Sequence, residues 1–505
     1  MHFFLDFHRY KLYVVTMKDG GKTMAIVHQK NKESGIIYVY ESISYWDKEK
    51  QQSRAKRKCI GRIDPKTNEV VPTRKKRVLK ASKVCKKANN QETTRSFYGS
   101  TYLFDAIGKE IGITDDLKKC FPDTYKQILS IAYYLILENK SPLSRFPHWA
   151  NMHKHPFGKA IASQRSSELF ASITEDEREH FFRLQGKRRL EDEFWLYDTT
   201  SISSFSETLK QVKYGVNKEH DPLAQINLAL LFGEKSNLPF YYRKLPGNIS
   251  DVSTIKSLVA DIDFLNYKKT KLTLDRGFYS QANINNLYKE HIKFLMGTKI
   301  SLKFVQAELD DIRDSIKTWP HYNQTYNLYA ISKPISWEYE QKRPYKGDIL
   351  KENRRMYIHL YFNNIQATEK EMKFNLRLCR LQEELENGKR KPEHEKQYAK
   401  YFDVRNTPAK GIRVAAKQDA IEKAKKDFGF FCLISNTVKD PIEALERYRN
   451  KDLVEKAFGN LKDRLGLRRL AVSSEKSLDG KLFVEFIALI YTSRILKNDA
   501  RAKSF

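Results

Sequence analysis

The chain has 505 residues, with 92 Lys and Arg against 62 Asp and Glu, a formal net charge of +30. A field of that sign draws polyanions, nucleic acid or an anionic membrane surface, and speeds association with them. No run of about 18 apolar residues, no amino-terminal signal and no terminal lipidation motif accompanies it, which excludes a membrane-spanning or anchored protein and leaves nucleic acid, with a cytoplasmic, nucleoid-associated setting.

The five cysteines, Cys59, Cys85, Cys120, Cys379 and Cys432, are scattered and odd in number. They form no C-x-x-C pair, which excludes a disulfide framework or a zinc ribbon. At about 100 to 200 residues per domain the length predicts three or four units.

Residues 1–95 read as a basic β-rich module. The runs YKLYVVTM, TMAIVH and GIIYVYESISYW are strand-like, and a one-sided basic stretch from Arg54 through Lys87 marks a polyanion contact rather than a plain solvated linker. Residues 96–190 change to helical periodicity, as in YKQILSIAYYLIL, and predict a helical DNA-binding domain. His148, His153 and His155 lie there, without a Cys or carboxylate at ligand spacing.

From about residue 191 the texture is α/β. FWLYDTTS, QINLALLFG and LPFYYRKL read as three strands joined by short turns. A helix capped by Ser250 or Asp251 follows, then KLTLDRGF as a strand, a second helix, and KFLMGTKI as a fifth strand. That order describes a mixed sheet with helical cover over residues 191–300. Residues 301–429 are a polar insertion in which Trp319 and Trp337 stand among Lys and Arg, able to stack bases and neutralise phosphate. Residues 430–505 resume with the strand FGFFCLIS and a long helix from near Pro441.

Asp198 and Asp275 each close an apolar strand, where a carboxylate is well placed to hold a cation in the crevice of an α/β sheet. A lone Asp in that position is more often a turn former. The third acid comes from RYRNKDLVEKAFGNLKDRL. On one continuous helix, Val454, Ala457, Phe458, Leu461 and Leu465 form the buried stripe, and Tyr448, Lys451, Glu455 and Lys462 a second stripe at its rim. Asp452 falls on a different face. Three carboxylates suit phosphodiester chemistry: two hard cations about 4 Å apart activate an attacking water or 3′-hydroxyl and stabilise the leaving 3′-oxygen. Mg²⁺ takes such oxygen ligands, and Mn²⁺ can replace it.

The helix resembles the Y-x2-R-x3-E-x6-K signature of DDE-class insertion-sequence transposases, with Tyr448, Glu455 and Lys462 at matching positions and Lys451 where the family usually has Arg. The blocks D-T-T-S at Asp198 and D-R-G-F-Y at Asp275, and the segment LPGNISD, resemble the same group. Lys keeps the charge of Arg but loses its bidentate fork. The resemblance implies a ribonuclease H-like mixed-sheet core interrupted by a largely β insertion domain, with Asp198, Asp275 and Glu455 as catalytic metal ligands. It implies that Tyr448, Lys451, Lys462 and Arg276 contact DNA. A tryptophan of the insertion would stack on a flipped base, Trp337 being placed in the DNA-binding set and Trp319 the other candidate. The expected activity is cleavage at the terminal inverted repeats of a mobile element, then strand transfer into target DNA, by a homodimer in a synaptic complex. The other readings are a ribonuclease H-like DNA nuclease without strand transfer and an inactive DNA-binding relative.

Overall fold

Alternating side chains and β-branched residues set the first structured element. The computed structural model describes every residue except 1–16, 20–21, 48, 74–94, 189–192, 219–220, 268, 344–346, 408–410, 473 and 503–505. The chain divides into two compact units between Thr94 and Arg95. In the first, the described residues form an antiparallel meander of five strands: β1 (Met17–Asp19), β2 (Lys22–Lys30), β3 (Ile37–Asp47), β4 (Gln52–Ile63) and β5 (Val70–Val71). The basic stretch Arg54–Lys58 is not a loop but part of β4, exposed along its length. The strand-like run at 10–17 and the rest of the basic stretch lie largely outside the described residues.

The second unit opens with six helices: α1 (Gly99–Glu110), α2 (Ile113–Cys120), α3 (Tyr125–Leu137), α4 (Phe146–Met152), α5 (Ser163–Ser172) and α6 (Glu175–Lys187). Thr174 and Glu177 close a reciprocal capping box at the start of α6, satisfying two backbone donors that a helix end leaves open. His155 is buried, its Nδ1 3.0 Å from the Ser130 hydroxyl, and His153 stacks on Trp149. These imidazoles serve packing.

The sheet follows: β6 (Trp195–Ser203), β7 (Gln225–Gly233), β8 (Leu238–Pro246), α7 (Asp251–Phe264), β9 (Lys271–Leu274), α8 (Gln281–Lys289), β10 (Lys293–Thr298) and α9 (Lys303–Ile312). Then come β11 (Tyr322–Asn323), β12 (Leu328–Lys342), β13 (Ile349–Phe362), α10 (Asn364–Glu386), α11 (Glu395–Tyr401), β14 (Phe402–Thr407), β15 (Gly411–Ala416), α12 (Gln418–Lys425) and β16 (Phe430–Ser435). The chain ends in α13 (Pro441–Arg449), α14 (Asp452–Gly459) and α15 (Glu475–Ala502). Among the described residues the large sheet has nine strands in the order β11-β12-β13-β16-β10-β9-β6-β7-β8. β6, β7 and β8 are antiparallel, while β9 pairs parallel with both β6 and β10. Strands β6 and β7 are buried along their whole length, covered on both faces, although β6 carries the polar run Asp198–Ser201 as well as Ser203.

Two expectations change. The insertion is not a largely β body set apart from the core: β12 and β13 extend the main sheet through β16, and residues 364–425 are mostly helical around a small core of Leu381, Leu385, Tyr398 and Phe402. The interior strand β16 pairs on one side with β10 and on the other with β13, so the sheet has no edge at which a separate domain begins. Nor does residue 190 mark a domain boundary. α15 is apolar around its circumference from Leu482 to Tyr491 apart from Glu485, and packs on α1, α3, α5 and β8 within one core shared by helices and sheet.

Glu485 is 2% exposed inside that core. Lys481 lies 3.8 Å away, and Glu485 Oε2 has no hydrogen-bond partner. Burial pushes its carboxyl up to about 7. Such a shift favours the protonated folded form. Its contribution is whole below the unfolded value of about 4.3 and is lost as pH climbs to the folded value. Glu485→Gln should therefore melt above wild type at about pH 8, with the gap shrinking toward about pH 4. Parallel thermal melts across pH check this; a gap independent of pH would contradict it.

Candidate active site

Register brings the two strand carboxylates together. On the parallel pair β6 and β9, Tyr197 stands opposite Leu274, so Asp198 and Asp275 come next in the same row. β10 continues the row, since Met296 stands opposite Leu274 and Gly297 is level with Asp275. α13 packs over β9 and β10 and α14 over β6, bringing Tyr448, Lys451 and Glu455 down on this row from outside the sheet.

The motif is not one continuous helix. α13 ends at Arg449, Asn450 and Lys451 make a turn, α14 runs from Asp452 to Gly459, and a π-helical segment covers Asn460–Arg464. The break is anchored by Glu234, which accepts hydrogen bonds from Asn450 Nδ2 (2.7 Å) and Arg447 (3.0 Å). The turn nevertheless gathers the motif. The Tyr448 hydroxyl donates to Asp275 Oδ1 (2.7 Å), and Lys451 Nζ lies 3.1 Å from Asp275 and 3.0 Å from Glu455. Asp452 points elsewhere, paired with Lys456.

On the other side stands Lys218, unremarked in the sequence. Its ammonium donates to the Thr199 carbonyl (2.7 Å) and hydroxyl (2.9 Å) and lies 3.3 Å from Asp251 and 3.6 Å from Asp198. The Thr199 hydroxyl donates to Asp251. Nothing in the local pattern signals Lys218, because a 21-residue connection between β6 and β7 must fold back to deliver it.

The electrostatics differ between the two aspartates. Burial raises the Asp198 carboxyl above its ordinary value, against the pull of Lys218 and Lys451. Asp275 is also pushed up by burial, but the Tyr448 hydroxyl, the Lys451 charge and the Arg276 N–H outweigh that, and it titrates below its ordinary value. Burial would lower Lys451, yet Asp275 and Asp198 hold it above its usual range and so protonated.

The remaining predicted residues fare unevenly. Arg276 is exposed at the start of the short 3₁₀ turn after Asp275. Lys462 is 6% exposed, because the π-helical segment turns it inward from the ridge that an unbroken α-helix would give. That placement does not present it as a surface phosphate contact. Trp337 is buried, with its indole N–H donating to Asn285 (2.9 Å) and its ring edge-on to Phe304, so it is packed inward rather than presented to a base. Trp319 is the tryptophan in the open, 82% exposed and stacked on Tyr322.

Whether these carboxylates suit a metal is answered by their chemistry. Among the described residues, no group of three or more His, Cys, Asp or Glu is drawn close enough to enclose a metal ion. Asp275 and Glu455 instead share one cation, the Lys451 ammonium, and Asp198 lies within its field. All-oxygen donors already gathered around positive charge match a hard divalent ion. Among the described residues, no helix is long and apolar enough to cross a membrane.

The family model described as the transposase DDE domain matches residues 189–491, more than half of the chain. No curated protein matches it. Among solved structures, a cryo-EM structure of the piggyBac transposase synaptic complex with hairpin DNA aligns at a TM-score of 0.36 and 8% identity, covering 74% of this chain and 67% of that one. So distant a likeness carries no argument.

Gly297, like Lys218, carries no local signal of its role. A Cβ there would lie 2.6 Å from the Tyr448 hydroxyl and 3.1 Å from its ring carbon. Gly297→Ala should destabilise the fold by about 1 to 3 kcal/mol through this overlap. Tyr448→Phe, which removes the overlapping oxygen, should make the double variant more stable than the sum of the singles predicts, by more than about 0.5 kcal/mol. Denaturant titrations of the four proteins measure that coupling, and strict additivity would show that Gly297 does not seat Tyr448.

Proposed function

The chain belongs to the transposase DDE-domain family, and from that membership we propose that it cuts DNA at the ends of a mobile element and joins them to target DNA, with Asp198, Asp275 and Glu455 as its catalytic carboxylates. The observation that carries the assignment is the row of Asp198 and Asp275 on neighbouring parallel strands, with Glu455 tied to it through Lys451. The strand order of β6 to β10, three antiparallel strands followed by two parallel ones, supports a ribonuclease H-like core.

Asp198, Asp275 and Glu455 would hold Mg²⁺, or Mn²⁺ in its place, which supplies positive charge to the attacking and departing oxygens. In the first step a water oxygen attacks the phosphorus at the element's end, and the bond to the 3′-oxygen breaks to leave a 3′-hydroxyl. In the second, that hydroxyl attacks a target phosphodiester, forming one bond as it breaks another. Lys451 and Arg276 neutralise phosphate beside the reacting centre, and the half-buried Tyr448 hydroxyl keeps Asp275 oriented and ionised. Trp319, exposed in the insertion, is the tryptophan there that can stack on a base. The partners are double-stranded DNA ends, target DNA and a second copy of the chain in the synaptic complex.

Asp198→Ala, Asp275→Ala and Glu455→Ala should each abolish Mg²⁺- or Mn²⁺-dependent cleavage and strand transfer on DNA carrying the inverted repeats that flank the gene, while retaining end binding. Cleavage without joined product in the wild type would make the protein a nuclease. Binding without cleavage would make it an inactive relative, and cleavage surviving in any one variant would remove that residue from the site.

A further inference from the structure

The connection between β6 and β7, which delivers Lys218 to the candidate active site, presents apolar side chains to solvent. Val216 is 92% exposed and Tyr214 76%. Exposed tips are ordinarily loose, but this one is tied down. Lys213 and Gln225 exchange both backbone hydrogen bonds (2.9 and 3.0 Å), the buried Gln225 side chain donates to the Val216 carbonyl (3.1 Å), and Asn217 donates to the Ser203 hydroxyl (3.2 Å). Gly215 lets the tip sit down on the next turn: a Cβ there would lie 2.1 Å from the Gly247 carbonyl oxygen. The segment closes on Lys218, whose ammonium bonds Thr199 and faces Asp198 and Asp251.

Fixing two apolar side chains in water gains nothing for the fold alone, whereas pre-organisation lowers the entropy lost on binding a partner. The place and the flanking charges say which partner. The tip is anchored through Gln225 and Ser203 at the carboxyl end of β6, five residues or about 16 Å along the strand from Asp198, and only the Lys218 side chain reaches back from it to the carboxylates. Exposed lysines, Lys213 and Lys218, bracket it on both sides. An apolar wedge bracketed by cations is the chemistry that enters a DNA base step while holding its backbone. Even counting Phe205, which is 74% exposed earlier in the same connection, so few side chains are too small a patch for the core of a protein interface.

Resting on the transposase reading, we propose that residues 213–218 form a rigid DNA-inserting tip: Val216 presses into a base step a few pairs along the duplex from the scissile phosphate, Tyr214 packs on the adjoining base or sugar, and Lys213 holds the backbone. The tip thereby sets which bond lies over the carboxylates, making Tyr214 and Val216 positioning residues.

The test uses the full chain and the element's terminal duplex, with 2-aminopurine placed in turn at each position around the cleavage point and no divalent metal present. Wild type should raise the fluorescence several-fold at one position. Val216→Ser and Tyr214→Ala should lose most of that rise while binding the end within a few-fold of wild type, and Val216→Ile should restore it. An equal rise in both variants, or no rise when the wild type binds, overturns the proposal. So does a change in the free protein's oligomeric state on substitution, which would make the patch a subunit contact. Wild-type cleavage in Mg²⁺ is read separately: cleavage without unstacking removes the tip and spares the transposase reading, and absence of both binding and cleavage removes both.

Discussion

Two carboxylates in one row on adjacent parallel strands repel each other, and in a half-dry site that repulsion has to be compensated by charge and hydrogen bonds brought from elsewhere. The compensation organises much of the second unit. Lys451 reaches Asp275 and Glu455 from the α13–α14 turn, Tyr448 donates to Asp275 from the end of α13, and Lys218 folds back from the β6–β7 connection to face Asp198. Each group comes from a different stretch of chain and needs its own support. Glu234 pins the turn, Gly297 leaves room for the phenol, and Gln225 holds the returning connection. Asp198 stays the harder carboxyl to ionise and Asp275 the easier, so the row carries an asymmetry set by which partner each acid finds.

Strands and acids were legible because their signals are local. Apolar runs such as WLY and KLTL closing on Asp give both a strand and a carboxylate at its end, and the order of strands and helices from 195 to 298 follows from periodicity and turn residues. Glu455 was separable from Asp452 by helical spacing, and Asp452 indeed turns away to Lys456. The failure at Lys462 depended on two local dislocations. One turn at Asn450–Lys451 and one π-helical segment after Gly459 shift the phase of everything beyond them, so Lys462 is carried inward although its sequence spacing puts it on the ridge.

Other features were illegible for a different reason. Lys218, Gly297 and the burial of Trp337 are facts of tertiary register, decided by which strand lies beside which. Composition can say that a tryptophan among lysines could stack on a base. Only the pairing of β12 with β13 and the packing of Phe304 decide that Trp337 faces inward while Trp319 stands free of the core. The insertion was misjudged likewise, since a hairpin's tendency to form strands says nothing of the sheet it will join.

The pairing of β10 with β16 carries an evolutionary consequence. Thr298, at the end of β10, stands directly opposite Cys432 on β16, so the chain leaves the core and re-enters it at neighbouring points about 5 Å apart. Within the stretch between them, β12 and β13 belong to the same sheet, but Phe362 on β13 stands opposite Phe430 on β16, so the helical residues 364–425 leave and return at paired strands and close around their own small core. That helical excursion is the part whose length and content can change with the least effect on the ladder that carries Asp198 and Asp275.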